Sequence, residues 1–205
     1  DSVQSYAGFL RNEYSKVVNV ENDRSKSVCP IDGADGRLET VRGQSDCVIV
    51  GRYITTVGLL GSTDGNSYRT YPVYAYRSDK GSAWVYRRSA ESDKYTVNWQ
   101  AKTRFSSQPK NSAYISILMY RHPETGQLDI RTDTSRFGDN LTDFVNNKNS
   151  AGIVQSASEQ RQQREICIYD DGWLPNERLS IFLRSYAGSA DAVVVGNATG
   201  GCADA

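Results

Sequence analysis

The single histidine of this 205-residue chain, His122, stands directly before Pro123 in a stretch, His-Pro-Glu-Thr-Gly126, that reads as a turn. An imidazole there moves protons usefully only when a nucleophile and an orienting acceptor are fixed beside it, and the sequence marks neither. Asp170 and Asp171 are the kind of carboxylates that could divide acid and base roles on a glycoside. Neighbours in a turn, however, usually cap and solvate the chain. Asp32 and Asp35 are three apart, whereas an EF-hand loop opens with ligands at alternate positions, so a turn is the better reading. No G-x-S-x-G, P-loop or G-x-G-x-x-G occurs. The chain is therefore read as non-enzymatic, with no cofactor and no metal.

Four cysteines lack C-x-x-C spacing, which argues against a zinc site. If a disulfide forms, Cys29 with Cys47 is the expected pair, because it would close a short, weakly structured Asp- and Gly-rich loop. Cys167, inside a strand, reads equally well as a buried thiol.

Charges cancel, 24 basic against 24 acidic, so no global field draws nucleic acid or an anionic membrane, and neither is expected as a partner. Arg69, Arg77, Lys80, Arg87 and Arg88 gather among aromatics, a pattern better explained by a sheet face with cations lying over Tyr rings. Nothing approaches the roughly 18 apolar residues of a membrane span. With Met119 as its one methionine, the chain is read as a piece of something longer.

Alternation defines the elements. In Glu165 to Ala187, Ile166 and Ile168 share a face, Leu179, Ile181 and Leu183 likewise share a face, all five pointing inward, and Asp170, Asp171, Gly172, Pro175 and Asn176 force a turn between the two runs. Cys47 to Leu60 is a long β-branched run with Gly51 and Gly58 marking a bulge or close approach. Tyr68 to Ser78 and Ala83 to Arg88 form a hairpin, and Tyr95, Val97, Trp99 and Ala101 alternate as a half-buried strand. Tyr114 to Tyr120 is apolar enough to be covered on both faces, and pairs through His122 to Gly126 with Gln127 to Thr132. Ala192 to Val195 is a last strand before a loose Gly-rich end. Ser5 to Val20 mixes helical spacing with Val17, Val18 and Val20, and is expected as an extended edge strand or irregular start. One short helix, Asn140 to Asn147, is expected with Asp139 as its cap. The sum is an all-β fold: a single compact barrel or sandwich of about nine or ten mostly antiparallel strands with one short helix.

The order of the 165–187 hairpin is an acidic residue, Cys, an apolar residue, Tyr, a Gly-containing turn, an aromatic, Leu, and an apolar strand. It resembles the closing hairpin of protruding capsid domains in small non-enveloped RNA viruses, and the whole chain is similar in size and composition to the astrovirus capsid spike. The resemblance covers roughly twenty residues at motif level. It implies that residues 1–205 are one spike domain on the virion surface. Such a domain is a homodimer that attaches to a host-cell receptor, a glycan being one class, and carries antibody epitopes in its loops. On this chain the attachment loops would be Ser62 to Arg69 and Ser106 to Asn111, with Asn66, Tyr68, Arg69, Ser106, Ser107 and Lys110 as contact residues. The rival reading is a secreted lectin-like or adhesin domain, monomeric and disulfide-bonded.

Overall fold

The computed structural model describes residues 2–19, 47–57, 65–77, 83–109, 114–156, 163–169, 179–185 and 190–203. Ten strands and three helices are described: α1 (Ser2–Val18), β1 (Cys47–Thr56), β2 (Ser67–Arg77), β3 (Trp84–Arg88), β4 (Asp93–Thr96), β5 (Lys102–Phe105), β6 (Ser116–Arg121), β7 (Leu128–Asp133), α2 (Thr142–Val145), β8 (Arg164–Tyr169), β9 (Leu179–Leu183), β10 (Val193–Asn197) and α3 (Gly200–Ala203). Every strand pair is antiparallel. One sheet runs β3-β2-β1-β6-β7, with β4 sharing the outer edge of the long β2, and the other runs β10-β9-β8-β5. The mostly β architecture expected from alternation is the one observed.

The sheets approach each other at two seams. Thr103 N donates to Gly65 O at one (2.9 Å), and Ile130 N donates to Ser185 O at the other (3.4 Å). Between them lies the main core, where Ile54, Ile117 and Met119 of the first sheet meet Phe105, Ile166, Ile181 and Leu183 of the second; Ile168 and Leu179 pack against its margin. The five apolar residues of the 165–187 hairpin thus all point to this core, as their period of two requires. A second cluster covers the outer face of the first sheet, joining Tyr53, Tyr71 and Leu118 to Phe137, Leu141 and Phe144. β6 is therefore buried on both faces, as its continuous apolarity predicts. The register shifts between Ile49 and Gly51, a bulge at the expected glycine.

The edge strand or irregular start expected at Ser5 to Val20 is instead a helix as far as Val18. Val3, Tyr6, Ala7, Leu10, Tyr14 and Val17 fall on one face and enter the main core. Burying side chains such as Tyr6, Leu10 and Tyr14 is worth about 1.5–3 kcal/mol each, far more than the few tenths that β-branched Val17 and Val18 cost a helix. Across its edge, Arg11 Nε donates to Val193 O of β10, 3.1 Å away. Deeper in the interface, the almost fully buried Glu13 receives Lys16 Nζ on one oxygen and Arg52 Nε and Thr70 Oγ1 on the other, each at 2.7 Å. Burial alone would raise the Glu13 pKa. The Arg52 charge and these hydrogen bonds outweigh it and hold the carboxyl below the usual range.

Four further expectations are corrected. The strand predicted across Tyr95 to Ala101 stops at Thr96, a 3₁₀ turn spans Asn98–Gln100, and β5 follows where no strand was expected. The Gly-rich end is not loose among its described residues: α3 is fastened by a Cys167–Cys202 disulfide and by Arg104 Nη2 donating to Gly201 O (2.9 Å). Cys167 is thus bonded and not a free thiol, because β8 presents it to a partner 35 residues away in sequence. The expected Cys29–Cys47 pairing lies outside the described residues. Asp139 does not cap α2; it pairs with Arg88, and Asn140 Oδ1 accepts from Thr142 N (3.0 Å). The inward set Leu141, Phe144 and Val145 is as expected.

Candidate functional site

The first predicted attachment loop is described only from Gly65. From there β2 runs beside β4, with Ser67 opposite Thr96, Tyr68 opposite Tyr95 and Arg69 opposite Lys94. Opposed residues share a face, so Arg69, Lys94 and Thr96 lie together, and all three are exposed. Tyr68 lies on the other face and is 0% exposed. Its ring packs against Tyr6, its hydroxyl bonds Thr103 Oγ1, and burial drives its pKa well up. The stacking role expected of Tyr68 is therefore corrected: the period of two that exposes Arg69 hides its neighbour. Most of the described tyrosines follow Tyr68 inward, including Tyr6, Tyr53, Tyr71, Tyr74, Tyr86 and Tyr120.

Asn66 is half-buried and its carbonyl accepts from Val97 N (2.7 Å), which fixes the loop end against the segment leaving β4. That segment carries the residue missed in the sequence. Trp99 adopts φ 61°, ψ 23° and is 80% exposed. Left-handed backbone is rare for a bulky side chain and is sustained only where the surroundings impose it. Here the surroundings do: Asn98 Nδ2 donates to Ser5 Oγ of α1 (3.0 Å), Ser5 Oγ bonds Tyr95 OH (3.1 Å), and Ala101 N returns to Asn98 O (3.2 Å). Beneath the turn, Phe9 and Tyr95 stack with ring centroids 4.1 Å apart. The indole is thus held out to solvent by a fixed base. Among the described residues only Trp99, Ile153, Val154 and Val18 are large, apolar and exposed.

The second predicted loop lies elsewhere. Ser106 N donates to Glu165 O and Ser107 Oγ accepts from Arg164 Nη1 (3.3 Å), at the far end of β5 from Thr103. Ser106 and Ser107 lie in a turn closed by Gln108 N donating to Phe105 O (2.9 Å), so β5 runs between the two predicted patches. Ser107 is exposed and Ser106 half-buried against Gly201; Lys110 lies outside the described residues.

The remaining described candidates have structural partners, while Asp32, Asp35, Lys80, Asp170 and Asp171 lie outside the described residues. His122 Nδ1 accepts from the backbone of Glu124 (3.3 Å) and Thr125 (3.4 Å) within its turn. Arg77 lies over Trp84 and bonds Glu124, and Arg88 lies over Tyr71, the cation-over-ring arrangement expected of the basic cluster. Glu165 is held by Thr199 N and Oγ1, which bring its carboxyl below the usual range although burial opposes the shift. No group of three or more His, Cys, Asp or Glu among the described residues could hold a metal ion. No described helix is long and apolar enough to cross a membrane.

What the fold and this surface define is a two-sheet antiparallel β module, plugged by one helix, with a rigidly presented indole beside Asn66. No protein-family model matches the sequence, and no characterised protein or solved structure is significantly similar to it.

Proposed function

We propose that this chain is an attachment module: a non-enzymatic, homodimeric capsid surface spike that binds a host-cell receptor through its glycan and carries antibody epitopes on the same loops. The observation that supports it is Trp99, an exposed indole on a left-handed turn. An aromatic face offers a sugar ring apolar contact at little entropic cost, and Asn66 and Asn98 beside it supply amides for hydroxyl recognition. Arg69 and Lys94 extend the patch on the neighbouring strand pair. Each contact is modest and gains through repetition on a particle.

The test is attachment of the fluorescently labelled domain to receptor-bearing cells, comparing wild type with Trp99→Ala and with an Asn66→Ala/Arg69→Ala pair. Loss with Trp99→Ala, in a variant of unchanged fold, supports the reading. Equal attachment by all three removes the site.

A secreted lectin-like domain is the second reading. Its support is the Cys167–Cys202 bond, since disulfides persist chiefly in oxidising surroundings. Light scattering separates the two, a dimer favouring the spike and a monomer the lectin.

A further inference from the structure

The edge of β2 is covered by β3 from Val73 to Arg77 and by β4 from Ser67 to Thr70. Between them the chain leaves the sheet, tied back where Ser89 N donates to Pro72 O (2.8 Å). The gap opens a cavity of about 260 Å³ beside the C-terminal half of α1. Its lining includes Lys16, Arg52, Pro72, Tyr74, Glu91 and Asp93.

The charges of this lining decide what can enter. Arg52 and Tyr74 are buried, whereas Glu91 and Asp93 are exposed at the mouth. Two cations resist a cationic ligand and two mouth carboxylates resist an anionic one. Nor does Arg52 offer a free fork to a carboxylate, since Nε is held by Glu13 (2.7 Å) and Nη2 by Asp93 (3.2 Å). A neutral ligand dense in hydroxyls satisfies both signs at once, each hydroxyl donating to a carboxylate and accepting from a cation. Tyr74 and Pro72 supply the apolar wall that a ring's C–H face needs. Pockets for drug-sized ligands measure roughly 300–1,000 Å³, so this smaller cavity suits one ring.

We infer that the cavity between α1 and the 89–93 segment is a subsite for a single neutral hexose. The inference rests on the attachment reading for its ligand class. The site is separate from Trp99: Ser5, which ties the Trp99 turn, and Lys16, which lines the cavity, are eleven residues apart on α1, roughly 16 Å along its axis. A glycan of several units could engage both.

Backbone-amide NMR titration of the whole domain tests it, with the methyl glycosides of glucose, galactose and mannose as probes and glucosamine and N-acetylneuraminic acid as charged comparators. One neutral glycoside is expected to shift the amides of Val50, Gly51, Ser89 and Glu91, and E91Q and D93N to weaken that binding at least tenfold. Arg52 is left intact because Glu13 depends on it. Preference for a charged probe, unchanged affinity in both variants, or shifts confined to the Trp99 turn overturns the subsite. The last outcome leaves the attachment reading standing. Conversely, hexose binding here together with full cell attachment by Trp99→Ala retains the subsite and sinks the Trp99 surface.

Discussion

Replacing Trp99 by glycine separates a residue kept for binding from one kept for folding. A left-handed conformation costs an L-residue about 1–2 kcal/mol, which glycine does not incur. Against that gain, glycine's extra freedom in the unfolded chain costs about 0.5–1 kcal/mol. The indole is 80% exposed, leaving about a fifth of a side chain that can bury up to ~250 Å². That fifth, about 50 Å² at ~25 cal/mol per Å², contributes about 1 kcal/mol. The three terms nearly cancel, so Trp99→Gly should change stability by less than about 1 kcal/mol, where truncating a core aromatic to alanine costs about 3–5. A binding hot spot, by contrast, loses at least ~2 kcal/mol, roughly thirtyfold in affinity. Guanidinium unfolding measures the first quantity and glycan or cell binding the second. A loss of 3 kcal/mol or more in stability would show that the indole holds the fold together. Unchanged binding would show that its exposure serves nothing at this surface.

Three other perturbations probe what supports that surface. Changing Cys167 and Cys202 together to serine opens a cross-link spanning 35 residues and should lower unfolding free energy by about 4 kcal/mol, read from denaturant curves; a change under about 1 kcal/mol would count against the bond as a stabilising element. Because Glu13 is held below its ordinary value of 4.5, its contribution is present above that pH and is lost as pH falls through the lower folded value. An acid limb in thermal stability below about pH 4.5 should therefore flatten in Glu13→Gln, at the cost of lower stability at neutral pH. Gly51→Ala would set a Cβ 2.7 Å from Tyr120 Cβ and 2.9 Å from its Cα, atoms that cannot rotate aside; a loss of about 1–3 kcal/mol is expected, and a neutral melting temperature would mean the strands spread freely.

Local alternation was enough to place most strands, because a residue's face in a sheet depends only on its parity along the strand. Ile166, Ile181 and Leu183 were legible for that reason, and so was the doubly buried β6, whose apolar run from Ile117 to Tyr120 leaves no solvent face. Parity also exposes Arg69 and buries Tyr68, yet it does not say which face meets the core, and a Tyr among polar loop residues looked like a contact. Distance in sequence hid the rest. Ser2–Val18 offers both periods, and the helix prevails only because the gap between two sheets accepts Tyr6, Leu10 and Tyr14 on one side. Cys167 finds Cys202 through a packing of β8 against α3 that no spacing announces. Trp99 continues the alternation of Tyr95 and Val97 and on that pattern faces inward. Bonds donated by Val97 N to Asn66 O and by Asn98 Nδ2 to Ser5 Oγ end the strand and turn the indole outward. Period and side-chain type alone specify the strand-built class and the inward teeth of each strand. Tertiary structure decided the helix, the disulfide and the candidate binding surface, since each depends on partners brought together from distant parts of the chain.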